Sequence, residues 1–426
     1  MPARALINRP MNPVSVRRSS PISRSRLAAL CLAVVACAAP ARAVFTWENI
    51  QFGGFASQGY IDNSGHNDYF GDSSAGTFDF REYAANASWS SGRWRIGAQV
   101  FGQKLGVYGD DQLMIDWATL DYQFTQGFGL RVGQVKMPRG LYNESLDLDS
   151  VRPFVLLPQG VYDNRLRDFN ASFRGVMAYG NFTLRQAGSL DYRVYYGQIP
   201  IAGDSGALDY FHNDQPFVNV SMKIDAVIGG SFFWNPPVPG LRVGYSYSSF
   251  RHPVSTRIVL IPGIPGISVT QIGEPYDRHL FSVEYSVGDW VWAAEAGRSQ
   301  AGLNYYDDAT GGAFVVSFAF RSDYYYLSAA RRLNRWLELG AYYSYSHDET
   351  VARRTALPAT PVNPILTQGD YALSARFDVN EHVIFKLEGH YMDGSGKIFD
   401  TYTHRQPAEQ RDESWTMIAA KITLSF

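Results

Sequence analysis

Six charged residues crowd one stretch of the 426-residue chain: Arg131, Lys136 and Arg139, then Glu144, Asp147 and Asp149. Bases followed closely by acids sort solutes electrostatically; they do not by themselves make or break bonds. If the bases line one wall of a narrow aqueous passage and the acids face them, the field between them orders water and favours polar solutes. Low-dielectric walls focus such a field. These six residues are therefore the expected constriction of a pore. Catalytic patterns are thin. The chain has no His-Glu-x-x-His helix, no Gly-x-Ser-x-Gly elbow and no phosphate-binding glycine loop. His279, His382 and His390 stand singly on or beside strand-like sequence and read as polar surface or lumenal groups. The pattern implies no cofactor and no metal, and the expectation is that the chain is not an enzyme. A serine, histidine and aspartate set assembled from distant strands is the alternative this leaves open.

The amino-terminal end has a different purpose. Arg17, Arg18, Arg24 and Arg26 precede the apolar run 27–41, and Ala41-Arg42-Ala43 closes it. That order describes a secretory signal peptide, so 1–43 is read as a cleaved leader and 44–426 as one domain. Val34-Val35-Ala36-Cys37 resembles a lipid-attachment box, but the Ala-Arg-Ala site lies downstream and leads straight into strand-like sequence. The leader holds seven arginines and no acid, so its removal takes the formal charge from -2 to -9. No basic stripe survives for nucleic acid. Both cysteines, Cys31 and Cys37, leave with it, so an exported chain has no disulfide to lean on.

What must position the six charges is a set of strands. In the mature chain the apolar period is two almost everywhere. Leu337, Leu339, Ala341, Tyr343 and Tyr345 share one face, against Glu338, Gly340, Tyr342, Ser344 and Ser346. Sixteen such segments are expected, near 50–60, 77–90, 93–104, 113–125, 128–136, 172–182, 190–198, 226–235, 241–251, 278–288, 290–301, 323–332, 335–346, 369–378, 382–392 and 414–426. Their links alternate between short turns such as SSG, TQG and AGS and long connections, one of about 35 residues at 137–171. No stretch of about 18 apolar residues suggests a membrane helix.

An even number of antiparallel strands, short turns at one end and long loops at the other describe an all-β fold: a transmembrane antiparallel β-barrel of about sixteen strands. Closure pairs every backbone group, as lipid demands. Apolar faces then point to lipid and polar faces to water. On that reading arginine at Leu339 is harmful, and at Ser344 it is tolerated. Trp89, Trp94, Phe124, Phe128, Trp234, Trp290 and Trp336 cluster at the short-turn ends as an interfacial girdle. Around sixteen strands the lumen is too wide for side chains to fill. The long link 137–171 carries Phe154, Val155, Leu156 and Leu157, which need something to pack on, and is expected to fold inward as a constriction.

The last strand ends on Phe426, and Arg131, Gly133, Lys136, Pro138, Gly140, Asn143 and Glu144 follow an Arg-x-Gly-x-x-Lys-x-Pro-x-Gly pattern leading to Asn-Glu. Here the chain resembles bacterial outer-membrane porins, and residues 119–144 resemble the phosphate-selective porin (O/P) superfamily. The resemblance implies the outer membrane of a Gram-negative bacterium, contact with lipid and lipopolysaccharide, a homotrimer, and passive diffusion of small polar solutes or ions, anions such as phosphate among them. The chain departs from that family in charge. Between Pro138 and Ala171 stand Arg139, Arg152, Arg165 and Arg167 against Glu144, Asp147, Asp149, Asp163 and Asp168, which is no cation cluster. Inferred lumenal positions are mixed too, Arg95, Arg174, Arg193, Lys386 and Lys421 standing beside Glu82, Asp121, Glu284 and Glu388. The competing readings are an outer-membrane barrel lipase or protease and a soluble all-β carbohydrate-binding protein. The apolar stretch 259–269 has no assigned role.

Overall fold

The computed structural model describes residues 45–47, 49–71, 73–199, 201, 217–259, 267–355, 366–398 and 406–426. The expected leader, 1–43, lies outside them, as do residues 260–266 of the apolar 259–269 stretch. The strands are β1 (Phe45–Trp47), β2 (Ile50–Asn63), β3 (Phe80–Ser91), β4 (Trp94–Leu105), β5 (Met114–Thr125), β6 (Phe128–Lys136), β7 (Ser172–Thr183), β8 (Ser189–Gln198) and β9 (Phe217–Asn235). There follow β10 (Leu241–Val259), β11 (Ile267–Gly273), β12 (Tyr276–Val287), β13 (Trp290–Asp307), β14 (Ala313–Arg332), β15 (Leu337–Thr355), β16 (Leu366–Asp378), β17 (Val383–Asp393) and β18 (Ser414–Ser425).

Each strand pairs antiparallel with its sequence neighbours, and β18 returns to β2 with Met417 opposite Asn63 and Ser425 opposite Phe55. β11 and β12 run in succession between β10 and β13 and serve as one barrel strand. β1 is a stub on β2. Among the described residues the fold is thus a closed antiparallel barrel of sixteen strands. Gly92, at φ +57 with open space around it, makes a two-residue turn between Ser91 and Trp94, which face each other in register.

Five expected segments are longer than the alternation indicated: β9, β10, β13, β14 and β15 run to 18–20 residues. Their extra turns lie at the long-loop end. There both faces meet water or neighbouring loops, so the alternation of apolar and polar residues fades while the ladder continues.

The outer face follows the expected parity. Trp89, Trp94, Phe124, Phe128, Trp234, Trp290 and Trp336 are all exposed at the short-turn end, Phe124 stacking on Phe128 at 5.3 Å. On β13 the outward residues from Trp290 pass through Trp292 and Ala296 to Arg298, which faces Asp323 across the ladder and pairs with it at 2.5 Å. Eight residues at about 3.4 Å each give about 27 Å of strand. At a tilt near 40° this is about 20 Å of height, close to the roughly 25 Å apolar band of outer-membrane barrels.

Leu339 is exposed on this band. Leu339→Arg is expected to cost about 2–4 kcal/mol of folded stability near a bilayer midplane. Unfolding in lipid vesicles compared with wild type measures it, and an unchanged midpoint would reverse the faces of β15.

The inner face departs from expectation. Buried apolar clusters sit inside the barrel, where Phe80, Phe101, Val135, Phe173, Leu280, Tyr326 and Met417 point inward onto residues of loop 137–171. Ser344, expected to face water, is 2% exposed and lies so close to the loop that a Cβ on Gly160 would come within 2.8 Å of its Oγ. An arginine there displaces the loop and is not neutral. Arg174, expected in the lumen, shares the outward face of Val176 and Phe182 and donates to Gln134 at 3.2 Å. The inward places beside it are taken by Phe173 and Met177, which pack on the loop side, so apolar residues occupy both faces of β7 and parity misleads.

Candidate functional site

Loop 137–171 leaves β6 at the long-loop end and crosses the lumen. Its neck is closed by Asn143, 1% exposed, whose amide donates to the carbonyls of Met137 and Asn170, both at 2.8 Å. One side chain thus satisfies both ends of the loop. It belongs to the Asn-Glu pair of the sequence pattern.

Past the neck the loop docks on the opposite wall. The Val155 and Leu156 amides each donate to a different Glu388 oxygen on β17, both at 2.9 Å. Lys386 donates to the carbonyls of Asp149 at 2.6 Å and Phe154 at 3.0 Å, Arg376 to that of Ser150 at 2.6 Å and Ser374 to that of Pro153 at 2.8 Å. Near its start and again on its return the loop meets β13, where Glu295 accepts from the Leu141 amide at 3.0 Å and from the Tyr162 hydroxyl. A loop interior to a barrel must place its own N–H and C=O groups, and the wall supplies these partners.

The six expected constriction residues separate into four settings. Lys136 and Asp147 come together with Asp116 and Arg167 in a buried network: Lys136 contacts Asp147 directly and Asp116 at 2.6 Å, while Arg167 reaches both acids at 2.7 Å. The Arg167 guanidinium also lies 3.7 Å from the Phe101 ring centre. Asp149 belongs elsewhere, against Lys386 at 3.0 Å, Lys421 at 3.5 Å and the Thr423 hydroxyl at 2.8 Å. Arg139 is buried beside Tyr324 and donates to the Val161 carbonyl at 2.9 Å. The fourth setting is wetter: Arg131 pairs with Asp121 at 2.7 Å, and Glu144 lies 3.4 Å from Arg193. The charges therefore meet at contact distance more than they face one another across water.

Three buried polar residues of the lumen are not among the expected constriction residues, although His390 reads as a surface or lumenal group. Asp116 lies next to a register shift in β5 that upsets its parity. Arg278 shares a face with the apolar Tyr276 and Leu280 while Asp277 and His279 stand on the other, so both faces carry polar residues there and the lumenal one is not marked. His390 bridges Asp370 at 2.9 Å and Glu388 at 3.0 Å. With both ring nitrogens held by carboxylates, neither is placed to take a proton from a serine.

Burial pushes the Asp147 carboxyl up, but Arg167 and Lys136 outweigh it and hold it well below its ordinary 3.8. Asp149 behaves likewise: burial is outweighed by Lys386 and Lys421. Burial and the neighbouring Glu295 push the Tyr162 hydroxyl far up, so it stays a donor. A carboxyl held low in the folded state contributes stability that is complete above its unfolded value and drains as pH falls through the folded one. Loop docking is therefore expected to be unchanged between pH 7 and pH 5 and to weaken below about pH 4. Proteolytic cleavage within the loop, scored on gels across that range, checks it; cleavage rising already at pH 5 would contradict it.

No family model and no curated protein matches the chain. Solved structures do. Outer-membrane expressed OmpT of Vibrio cholerae aligns at a TM-score of 0.53 with 10% identity, covering 90% of this chain and 100% of that one. A Salmonella typhi OmpF complex with daunomycin gives 0.54 with 11% identity over the same shares. The trimer form of in-vitro folded Vibrio cholerae OmpT gives 0.52 with 12% identity, over 88% of this chain and 99% of that one. The chain has the closed-barrel fold of these outer-membrane proteins.

Proposed function

We propose that this chain is a porin: a water-filled channel in the outer membrane of a Gram-negative bacterium, narrowed by loop 137–171, through which small polar and charged solutes diffuse passively. The observation that carries the reading is the loop's attachment to both walls of a sixteen-strand barrel, by Glu388 on one side and Glu295 on the other. A tethered loop inside a barrel narrows whatever passage the barrel offers. The flanking wall on the Arg131 side is polar, with Arg131, Arg193 and Glu144 partly in water and Asp121 buried beneath Arg131. Charges of both signs fit a channel passing mixed solutes, and nothing in the loop forms a dedicated phosphate cluster.

The outer band requires lipid around it and lipopolysaccharide outside. A homotrimer fits both the layout and the trimer form of one structural neighbour. The reading makes the chain a channel and not an enzyme, in keeping with the occupied nitrogens of His390.

Reconstitution into planar bilayers tests it, alongside an unheated gel. Stepwise conductance with heat-modifiable mobility is the expected result. Hydrolysis of lipid or peptide with no conductance would replace the channel by a barrel enzyme.

A further inference from the structure

A passage wide enough for a solute wets part of its wall at every level. This lumen does so near the short turns, where Arg95 is exposed and Arg131 and Arg193 are partly in water. Higher up, the ring is covered. Within nine residues of its short-turn end every one of the sixteen barrel strands carries an inward side chain no more than 7% exposed, among them Ser57 on β2, Met177 on β7, Tyr326 on β14, Ser344 on β15 and Lys421 on β18.

Loop 137–171 fills the space between them and touches the wall on all sides. Arg167 lies over Phe101 of β4, Phe169 stacks on Phe250 of β10 at 4.3 Å, and Phe154 meets Tyr342 of β15 at 5.1 Å. Arg278 of β12 holds the neck through neutral atoms, the Asn170 side-chain oxygen and, at 3.4 Å, the Met137 sulfur. The spaces left beside Arg139 and Arg278 have room for no more than about one or two water molecules. No solute passes there.

The loop is rooted at the long-loop end, so that is the direction in which it can lift. That way is roofed. Val155 and Leu156, at its far tip, share one buried apolar cluster with Tyr69 and Phe70 from the link after β2 and with Ile398 from the link after β17. Arg165 of the loop donates to the Lys397 carbonyl and lies 5.4 Å from the Tyr69 ring centre, while the Lys397 ammonium is paired with Asp348 on β15 at 2.9 Å.

We propose that loop 137–171 is a displaceable plug: it shuts the lumen at mid-height in this conformation, and segments 67–71 and 395–398 are the latch whose parting lets it lift and solutes pass. The docked and lifted loop are two states on one unchanged barrel ladder, and whatever loosens the latch shifts the balance toward the open one. The proposal deepens the channel reading and rests on it for its role.

The test uses introduced thiols in the full chain, since residues 44–426 contain no cysteine. A Cβ at position 160 falls 2.8 Å from the Ser344 Oγ, within the span of a disulfide. Gly160→Cys with Ser344→Cys ties the loop to the wall. Oxidised, this double variant is expected to give no conductance steps in planar bilayers, and reduction by dithiothreitol is expected to restore those of the wild type. The second measurement needs no conduction. In the detergent-folded barrel, Ser344→Cys alone is expected to react with a charged methanethiosulfonate more than about tenfold more slowly than Arg95→Cys near the short turns. Adding Ile398→Ser, which takes an aliphatic side chain out of the latch, is expected to speed the Ser344→Cys reaction about tenfold and to leave that of Arg95→Cys unchanged. Unheated gels show which variants are folded, and the labelling decides by itself if the double variant is not. Wild-type steps from the oxidised double variant, or Ser344→Cys reacting as fast as Arg95→Cys, would overturn the plug; an unchanged rate with Ile398→Ser would overturn the latch. If Ile398→Ser exposes Ser344→Cys and yet no protein conducts, oxidised or reduced, the channel reading falls and the plug remains.

Discussion

Glu388→Gln is expected to open the channel. The Val155 and Leu156 amides each rely on one oxygen of that carboxylate, and His390 bonds to it as well. Glutamine offers one carbonyl oxygen where two acceptors are needed and turns an NH2 group toward an amide donor. A buried donor left without an acceptor costs about 1–3 kcal/mol. That shifts the balance between docked and undocked loop by roughly 5- to 150-fold. Because Phe154 and Val155 are then free to leave the wall, single-channel conductance rises and the current becomes noisy as the loop flickers. Glu388→Ala removes both acceptors and is expected to do more. The barrel itself persists, since its ladder does not involve the loop. Wild-type conductance and noise in a correctly folded Glu388→Ala protein would show that this anchor does not hold the constriction.

Arg167→Met is expected to have the largest effect on stability. Arg167 reaches both Asp116 and Asp147, and Lys136 alone then balances two buried carboxylates. Removing one partner from a buried ionic network costs about 3–5 kcal/mol, chiefly because a charge remains without compensation. Adding Asp116→Asn removes the surplus charge and is expected to recover most of the loss. Urea unfolding of the two single variants and the double variant measures the coupling. Additive losses would mean that the four residues do not act as one network. The packing of Arg167 on Phe101 sets a floor, since methionine keeps the contact but not the charge.

Much of this molecule is written in short-range order. Alternation of apolar and polar residues with period two defines strands one at a time, because neighbouring side chains on a strand must face different media. Leu337 to Tyr345 needs no partner to reveal its apolar face, and Trp89, Trp94 and Trp336 mark the water boundary by chemistry alone. The apolar run Phe154 to Leu157 likewise announces a loop that must be buried.

Where that loop docks was decided only by closure of the barrel. Asp149 meets Thr423 across 274 positions, and Val155 meets Glu388 across 233. No local pattern encodes such pairs, because they exist only once β18 has paired with β2. Parity fails for a related reason. It reports that a face is apolar but not whether lipid or protein covers it, so Val135 and Phe173, packed inside, read like Leu130 and Val176 outside. The charges obey the same limit. Their signs and order along the chain were legible, but Lys136 finds Asp116 and Arg278 finds no acid because inward-facing side chains from every strand compete for the same confined partners, and only the assembled lumen settles which are within reach.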